Sequence, residues 1–532
     1  MTQDPKSIAG KYACPAERAE LLVIGAGPAG IAAAIEGAIG GAKVVLADEN
    51  PVAGALVGLD VPLLFGGRMA GAAGSKERFT EAVAESLPEL EEAYDRGVDV
   101  RLGTYAWGAF VNGPGVASLP GNVVGIADEV SSSVIGFDKL VVAAGARDLC
   151  MFFPGAHLPG IVGANGLAAM LCKYRAFNGR HVLILGSGAL ARATAELARE
   201  QGIAVVGMVE VRETAQAKTA QAGTGTTPVF AGPVFTGHVL LRAEGDEGGV
   251  RAAVLAPVGG GDEIRIECDT ICLAIGLVPN IELLDVLGAR LKIIPERGGF
   301  VPEGAPPATS LADVFVAGDA AGLGPIDDPG FAAASGRAAA RAALGLGLGL
   351  GLAAAPVAYP AGADCHEYQR DWMRALVASG GLEVMACLCE EVTRADLLGV
   401  QPPRYLGERP PAMAARDLGT LLGDGKVNQD QVKRLTRAGM GACQGRRCRE
   451  QVALLLAFGS NEDVGAIPLP SWRAPVRPLP LSVLAAGDET RAMRKHWDAW
   501  FGIAKQWTPY ADIGTEREEW VADFGLGETD ER

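Results

Sequence analysis

Cys387-Leu388-Cys389 and Cys443-Gln444-Gly445-Arg446-Arg447-Cys448 set four thiols in a C-x-C and a C-x4-C pair, with 54 positions from Cys389 to Cys443. Four thiolates hold either one Zn²⁺ or an iron–sulfur cluster. Structural zinc sites favour C-x2-4-C pairs, so the C-x-C spacing points to iron–sulfur. A [2Fe-2S] unit has two irons, each taking two thiolates, and its oxidised core carries a net charge of about −2. Lys433, Arg434, Arg437, Arg446, Arg447 and Arg449 crowd the second pair, which suits an anionic core. A solvated basic face is the plainer reading of the same six residues. Gly439, Gly441 and Gly445 let backbone N–H groups approach the sulfurs, contacts that tune potential.

A second group of residues has the form of a nucleotide site. Gly25-Ala26-Gly27-Pro28-Ala29-Gly30 is a G-x-G-x-x-G between a short apolar run, Leu21 to Ile24, and an Ala-rich stretch. The first glycine allows a tight turn, the second lets the backbone approach a diphosphate, and the third lets helix and strand pack closely. The helix N-terminus offers free N–H groups and partial positive charge. Asp48, at the end of the next strand, is placed to accept hydrogen bonds from a ribose, with Glu49 as its rival. Far along the chain, Thr309 to Val316 lead through Ala317 into Gly318-Asp319. This pattern resembles the second FAD fingerprint of the two-dinucleotide-domain, glutathione-reductase-like flavoproteins. The resemblance implies that Asp319 contacts the ribityl and phosphate part of FAD. The helix from about Phe331 is expected to aim its N-terminus at the flavin. Val141 to Ala146, with Gly145, and Ala274 to Asn280 look like the two crossovers between such domains. FAD is therefore the expected cofactor, at Gly25, Gly27, Pro28, Ala29, Gly30, Asp48, Glu49, Gly145, Gly318 and Asp319.

Between these halves, Gly186-Ser187-Gly188-Ala189-Leu190-Ala191 is a G-x-G-x-x-A followed by Glu210. In the resembled group this domain binds NAD(P)H, and a carboxylate here suits NAD. An inherited scaffold without a ligand is the equal alternative. No C-x-x-C or C-x4-C dithiol lies between residues 25 and 345, which disfavours a disulfide-reductase mechanism.

The elements that position these residues read as an α/β chain. Strands are expected at Leu21 to Ile24, Lys43 to Ala47, Leu140 to Ala144, His181 to Leu185, Ala204 to Val209, Thr270 to Ala274 and Val314 to Ala317. Helices are expected from Gly27 to about Gly40 and from Ser75 to Tyr94. The rest of 51–137 reads as loops and helices, and 214–227 as a mobile loop. Length 532 suggests about three domains. A net charge of −16 argues against nucleic acid. No apolar stretch has the length and purity of a membrane span, and the N-terminus lacks a secretory pattern. A cytoplasmic location is expected. Cys14, Cys150, Cys172, Cys268, Cys272 and Cys365 are scattered and read mostly as small buried hydrophobes; His157, His181, His238, His366 and His496 show no metal-type spacing. Trp497, Trp500 and Trp507 read as a packing stripe.

The words around the cysteines, Cys389-Glu390-Glu391-Val392-Thr393 and Thr436 to Arg446, resemble the bacterioferritin-associated-ferredoxin-type [2Fe-2S] domain. The sequence departs from that pattern in its wider second pair and in an insertion, Gln401 to Lys426, with no assigned role. Together the motifs resemble, over roughly residues 20 to 460, the large A (α) subunit of heteromeric amine dehydrogenases. That family includes octopine and nopaline oxidases, hydroxyproline dehydrogenase and hydrogen cyanide synthase, and is related to sarcosine oxidase α. The implied fold is a two-dinucleotide-binding-domain flavoprotein with a fused helical [2Fe-2S] domain. The implied division is 1–148 and 283–344 for the FAD halves, 149–282 for the NAD(P)-binding-like domain, and 345–363 for a linker. The cluster domain is then 364–460, with Cys387, Cys389, Cys443 and Cys448 as metal ligands, and 461–532 the tail. The family implies a second, D-amino-acid-oxidase-like flavoprotein subunit that oxidises a C–N bond, a small third subunit, and FMN between subunits. No general base for amine oxidation is identifiable here. The alternatives are a self-contained NAD(P)H-dependent reductase and an assembly subunit with a structural nucleotide.

Overall fold

A computed structural model describes residues 14–52, 76–112, 121–216, 230, 232–326, 328–346, 364–407 and 411–485. The expected tryptophan stripe, most of the expected linker and most of the 214–227 loop lie outside the described residues.

The first layer is a seven-stranded sheet. Its order is Asp99–Leu102, Val44–Asp48, Glu17–Ile24, Ser132–Val142, Val123–Ala127 and Tyr105–Phe110, with Val314–Val316 also pairing with Ser132–Val142. Glu17–Ile24 lies parallel to both neighbours. The long strand Ser132–Val142 has two jobs. Its start pairs antiparallel with Val123–Ala127 and its end pairs parallel with Val314–Val316, so residues far apart in sequence close one sheet. Parallel strands buried on both faces read as continuous apolar runs, as in Val44–Asp48, buried throughout. The Ala-rich helices Pro28–Ile39 and Pro329–Leu344 pack side by side on this sheet.

Two sequence expectations are corrected here. The segment up to residue 137 contains three strands, Asp99–Leu102, Tyr105–Phe110 and Val123–Ala127, where loops and helices were expected. The helix expected over Ser75 to Tyr94 is two helices, Lys76–Glu85 and Glu89–Asp95, parted at Pro88, whose ring cannot continue a helix.

The middle domain has a five-stranded parallel sheet, Val234–Thr236, Ala204–Glu210, His181–Leu185, Thr270–Leu273 and Ile161–Gly163, and a three-stranded antiparallel sheet. Two crossover strands, Ala146–Asp148 and Leu277–Pro279, pair antiparallel and join it to the first domain. The C-terminal module is mainly helical: Cys365–Gly380, Gln429–Thr436 and Arg449–Ser460 surround a two-stranded ribbon, Met385–Cys387 with Val392–Thr393. Middle domain and C-terminal module share one apolar core, in which Leu183 and Val209 join Trp372, Leu376 and Leu455. Arg394, buried in this seam, donates to the carbonyls of Leu376, Gly381 and Phe152. Among the described residues, no helix is long and apolar enough to cross a membrane.

Candidate functional site

Gly25 turns the chain out of the first strand at φ 107°, a backbone that L side chains rarely adopt, and a side chain there would collide with the Ala143 carbonyl. A Cβ on Gly30 would collide with the Gly25 carbonyl, so this glycine serves close packing. Gly27 is different. It is the N-cap of Pro28–Ile39, with Pro28 at the first turn, and a Cβ added there meets nothing within 4 Å. That open face belongs to a cleft of about 720 Å³ lined by Gly25, Gly27, Pro28, Asp48, Glu49 and Gly145 among others. Asp48 is 8% exposed and accepts from the Ala26 N–H at 2.6 Å and from Asn50. Its carboxylate braces the glycine loop. Glu49 is more open and pairs with Arg477.

The structure assembles only part of the expected dinucleotide set. Ala29, Gly30, Gly318 and Asp319 do not line the cleft. Gly318, at φ 62°, packs on Ala29, where an added Cβ would lie 2.9 Å from the Ala29 Cβ. Asp319 accepts from the Gly324 N–H at 3.0 Å, and burial pushes its carboxyl up. The helix expected to point at the flavin spends its first N–H groups on its own cap: Asp328 accepts from Gly330 and Phe331. Sequence reasoning missed Tyr105, Arg147, Glu282, Val476 and Arg477, all in the cleft wall, and placed Asn280 and Arg446 elsewhere, at a crossover and beside the cysteines. Tyr105 lines the cleft, and its buried hydroxyl has no hydrogen-bond partner among the described residues. Val476 and Arg477 come from the tail, which returns to the first domain: the Val476 N–H donates to the Trp107 carbonyl at 2.7 Å, and Trp472 joins that core.

The second fingerprint is built the same way and closed. A Cβ on Gly186 would crowd the Ala274 carbonyl, matching Gly25. At Gly188, the counterpart of Gly27, the space is taken: an added Cβ would lie 2.8 Å from Gln216 Oε1. Glu210, placed for a ribose, is 0% exposed. It accepts from Ser187 Oγ at 2.5 Å, from Tyr368 Oη at 2.8 Å and from the Arg212 N–H at 3.0 Å. Tyr368 belongs to the C-terminal module, and burial followed by the Glu210 charge pushes its phenol well up. Arg212 stacks over the Tyr368 ring and pairs with Asp371.

The four motif cysteines come together as two pairs that cross the motif spacing. Cys387 lies within hydrogen-bond reach of Cys448, and Cys389 within reach of Cys443. Cys389 is held down to about 7 by its bond from Cys443, against burial, with help from the Cys443 N–H and Arg447. Cys387 is lowered too, by Cys448 first, and it also accepts from the Gly439 and Glu390 N–H groups. Cys443 and Cys448 are pushed up, by the facing cysteine first and then by burial. Gly441 passes so close to Cys389 that a side chain there would strike the Cys389 Cβ. Among the described residues, no group of three His, Cys, Asp or Glu is arranged around a single metal position. Arg446, Arg447 and Arg449 are buried beside these cysteines, while Arg437 pairs with Glu390. The insertion braces this module, since Tyr405 donates to Glu390 at 2.6 Å, and Leu418 and Leu421 join the module's core.

Fold and cleft together define an oxidoreductase with two dinucleotide-type domains, a flavoprotein architecture. The family model described as pyridine nucleotide-disulphide oxidoreductase matches residues 19–344, and the chain belongs to that family. A second model, the sarcosine oxidase A3 domain, matches residues 412–488. The chain is 27% identical over 88% of its length, and 91% of the relative, to the opine oxidase A subunit of Agrobacterium tumefaciens (strain Ach5). It is 25% identical over 88% of its length, and 98% of the relative, to hydrogen cyanide synthase subunit HcnB of Pseudomonas protegens. These relatives bear out the resemblance to large subunits of multi-subunit oxidases. L-proline dehydrogenase from P. horikoshii shares the fold, with a TM-score of 0.57, 20% identity, and coverage of 88% of this chain and 80% of that one.

Proposed function

We propose that this chain is the FAD- and [2Fe-2S]-bearing electron-transfer subunit of a heteromeric dehydrogenase or oxidase acting on the C–N bond of an amino or imino acid or related amine. One observation carries the reading: Arg446, between Cys443 and Cys448, also lines the nucleotide cleft. The two cofactor sites are therefore neighbours. When bound, the flavin exchanges one or two electrons and the iron–sulfur core one. The N–H groups at the start of Pro28–Ile39 hold the diphosphate, Gly27 gives it room, and Glu49 and Asp48 face the ribose side. Cys387 with Cys448 and Cys389 with Cys443 would hold the irons, and two two-thiol pairs suit a two-metal core better than one zinc ion. Arg447 and the Gly439, Glu390 and Cys443 amides offset the negative charge. The sealed Glu210 supports this reading over a self-contained NAD(P)H reductase. The relatives' names support partner subunits, and the proposed partners are a D-amino-acid-oxidase-like flavoprotein and a small third chain, with FMN between subunits.

The test is isolation of the chain with its co-purifying partner. Yellow flavin absorbance, acid-labile sulfide near two per chain, and bleaching by an amine but not by NADH are expected. Cys387→Ser and Cys443→Ser should each abolish the sulfide, while added flavin still binds, more weakly. Material without sulfide, or with flavin bleached rapidly by NADH, would overturn the proposal.

A further inference from the structure

One buried guanidinium sits where all three parts of the protein meet. Arg147 is 2% exposed and lies in the crossover strand Ala146–Asp148, directly behind Gly145 in the cleft wall. Its Nη1 donates to Asn280 Oδ1 at 3.0 Å and to Glu282 Oε1 at 2.5 Å, just past the returning crossover strand. Its Nη2 donates to Glu450 Oε1 at 2.7 Å in the cysteine module. Its Nε donates to the backbone carbonyl of Arg446 at 2.9 Å. Asn280 in turn binds back to the cleft wall, through Nδ2 to the Ala144 carbonyl at 2.8 Å and through N–H to the Gly145 carbonyl at 3.0 Å.

Arg446 occupies the centre of the loop that carries two of the cysteines. Its N–H donates to the Cys443 carbonyl at 3.1 Å, and the Cys448 N–H donates to the Gly445 carbonyl at 3.2 Å, so the loop is tightly wound. Moving the Arg446 carbonyl therefore moves Cys443 and Cys448. The junction is also charged. Arg147, Arg446 and Arg449 meet Glu282 and Glu450 in a largely buried seam between the cleft and the cysteines. Charge-assisted bonds in such a seam are short and strongly directional, so they transmit displacement instead of absorbing it.

We propose that Arg147 is a positioning residue that couples occupancy of the dinucleotide cleft to the geometry of the Cys443–Cys448 loop. This rests on the functional reading above, since it presumes that both sites are filled. Coupling between binding sites is reciprocal: if flavin favours the cluster-holding loop, the cluster favours flavin by the same factor.

The measurement is the flavin dissociation constant of the isolated holoprotein with its cluster intact and after chelation of iron, with the cluster's visible circular dichroism recorded before and after flavin is stripped. In the unaltered chain, iron removal is expected to weaken flavin binding at least about fivefold, the lower edge of ordinary coupling. Stripping flavin is expected to change the dichroism. Arg147→Met alone takes from the buried Glu282 its hydrogen-bonded partner and leaves it only the longer pairs with Arg446 and Arg449, so Arg147→Met with Glu282→Gln, which removes both charges, is the main variant. Arg147→Lys is the second; it keeps the charge and loses the Nε–H that reaches the Arg446 carbonyl. In both, the ratio of the two constants should fall to within about twofold of one, and the dichroism should cease to respond to flavin, the loss of the reciprocal coupling. A folded variant that keeps the full ratio would overturn the proposal, as would an unaltered chain whose ratio is one. If the unaltered chain contains neither flavin nor sulfide, the functional reading fails instead, and the two failures are told apart by pigment alone.

Discussion

The contrast between Gly27 and Gly188 makes a sharp prediction. Both are second glycines of a fingerprint, and both have ordinary backbone angles, φ −76° and −74°, which alanine accepts. Gly27→Ala places a methyl group in open cleft, so the unliganded protein should not suffer. Alanine also restricts the unfolded chain, which stabilises by about 0.4–1 kcal/mol where the native angles are compatible. The same methyl stands where a diphosphate must approach the helix N-terminus. Displacing that group costs hydrogen bonds from amides to a charged acceptor, about 1.5–3 kcal/mol each. Losing two is about 3–6 kcal/mol, or at least about a hundredfold in affinity. Gly188→Ala instead meets Gln216 Oε1 at 2.8 Å, the end of a flexible side chain that can move aside. Purified Gly27→Ala should therefore lack yellow colour at an unfolding midpoint equal to or above that of the flavin-free parent. Gly188→Ala should keep its full flavin complement. Flavin released by acid, per chain, and thermal unfolding of the stripped proteins are the two readings. A Gly27→Ala protein that retains stoichiometric flavin would refute the assignment of the cleft. Flavin loss in Gly188→Ala would place the nucleotide in the middle domain.

Two further outcomes follow from named contacts. Tyr368→Phe removes one of three donors to the buried Glu210 carboxylate, and a hydrogen bond to a charged group is worth about 1.5–3 kcal/mol; the free energy of urea unfolding should fall by that amount, and an unchanged value would show that the Tyr368 contact is not holding the module. His366 has its pKa pushed below the ordinary histidine value, chiefly by burial, although Asp364, Asp463 and Glu296 oppose this and Arg370 assists. The folded chain thus binds that proton more weakly than the unfolded one, so the contribution is intact above the ordinary pKa and is lost as pH falls below it. His366→Gln should flatten the decline of the unfolding midpoint between about pH 7 and pH 5, and an identical decline in both proteins would contradict the assignment.

How far the sequence reached depended on how local the signal was. The glycine turns, the Ala-rich helices and the buried parallel strands are short-range patterns, and His181–Leu185 lies where its apolar run placed it. The strands between residues 99 and 127 were missed because Tyr105–Phe110 and Val123–Ala127 each contain glycine, and neither alternates cleanly. The four motif cysteines were legible as one group from type and spacing, but which of them lie opposite each other was not. Which thiol faces which is decided by the fold of the loop around Gly439, Gly441 and Gly445. Arg147, Glu282 and Arg477 gave no sign at all, since a charged residue reads as surface until a partner far along the chain encloses it.

That blindness to distant partners decides how the middle domain should be understood. Read by itself, Gly186 to Glu210 is as good a nucleotide fingerprint as Gly25 to Asp48. The two differ in what the rest of the chain brings to them. The first domain leaves Gly27 bare and an unsatisfied Tyr105 hydroxyl in the same cleft. The second receives Gln216 over Gly188 and Tyr368 against Glu210, so its carboxylate already has the donors a ribose would have supplied. A buried carboxylate gives up such bonds only for equivalent ones, and a nucleotide would first have to pull Tyr368 and its neighbour Trp372 out of the shared core. In this structure the fingerprint's turn packs against its neighbouring strand, and a carboxylate placed as if for a ribose bonds the cysteine module to the middle domain through Tyr368.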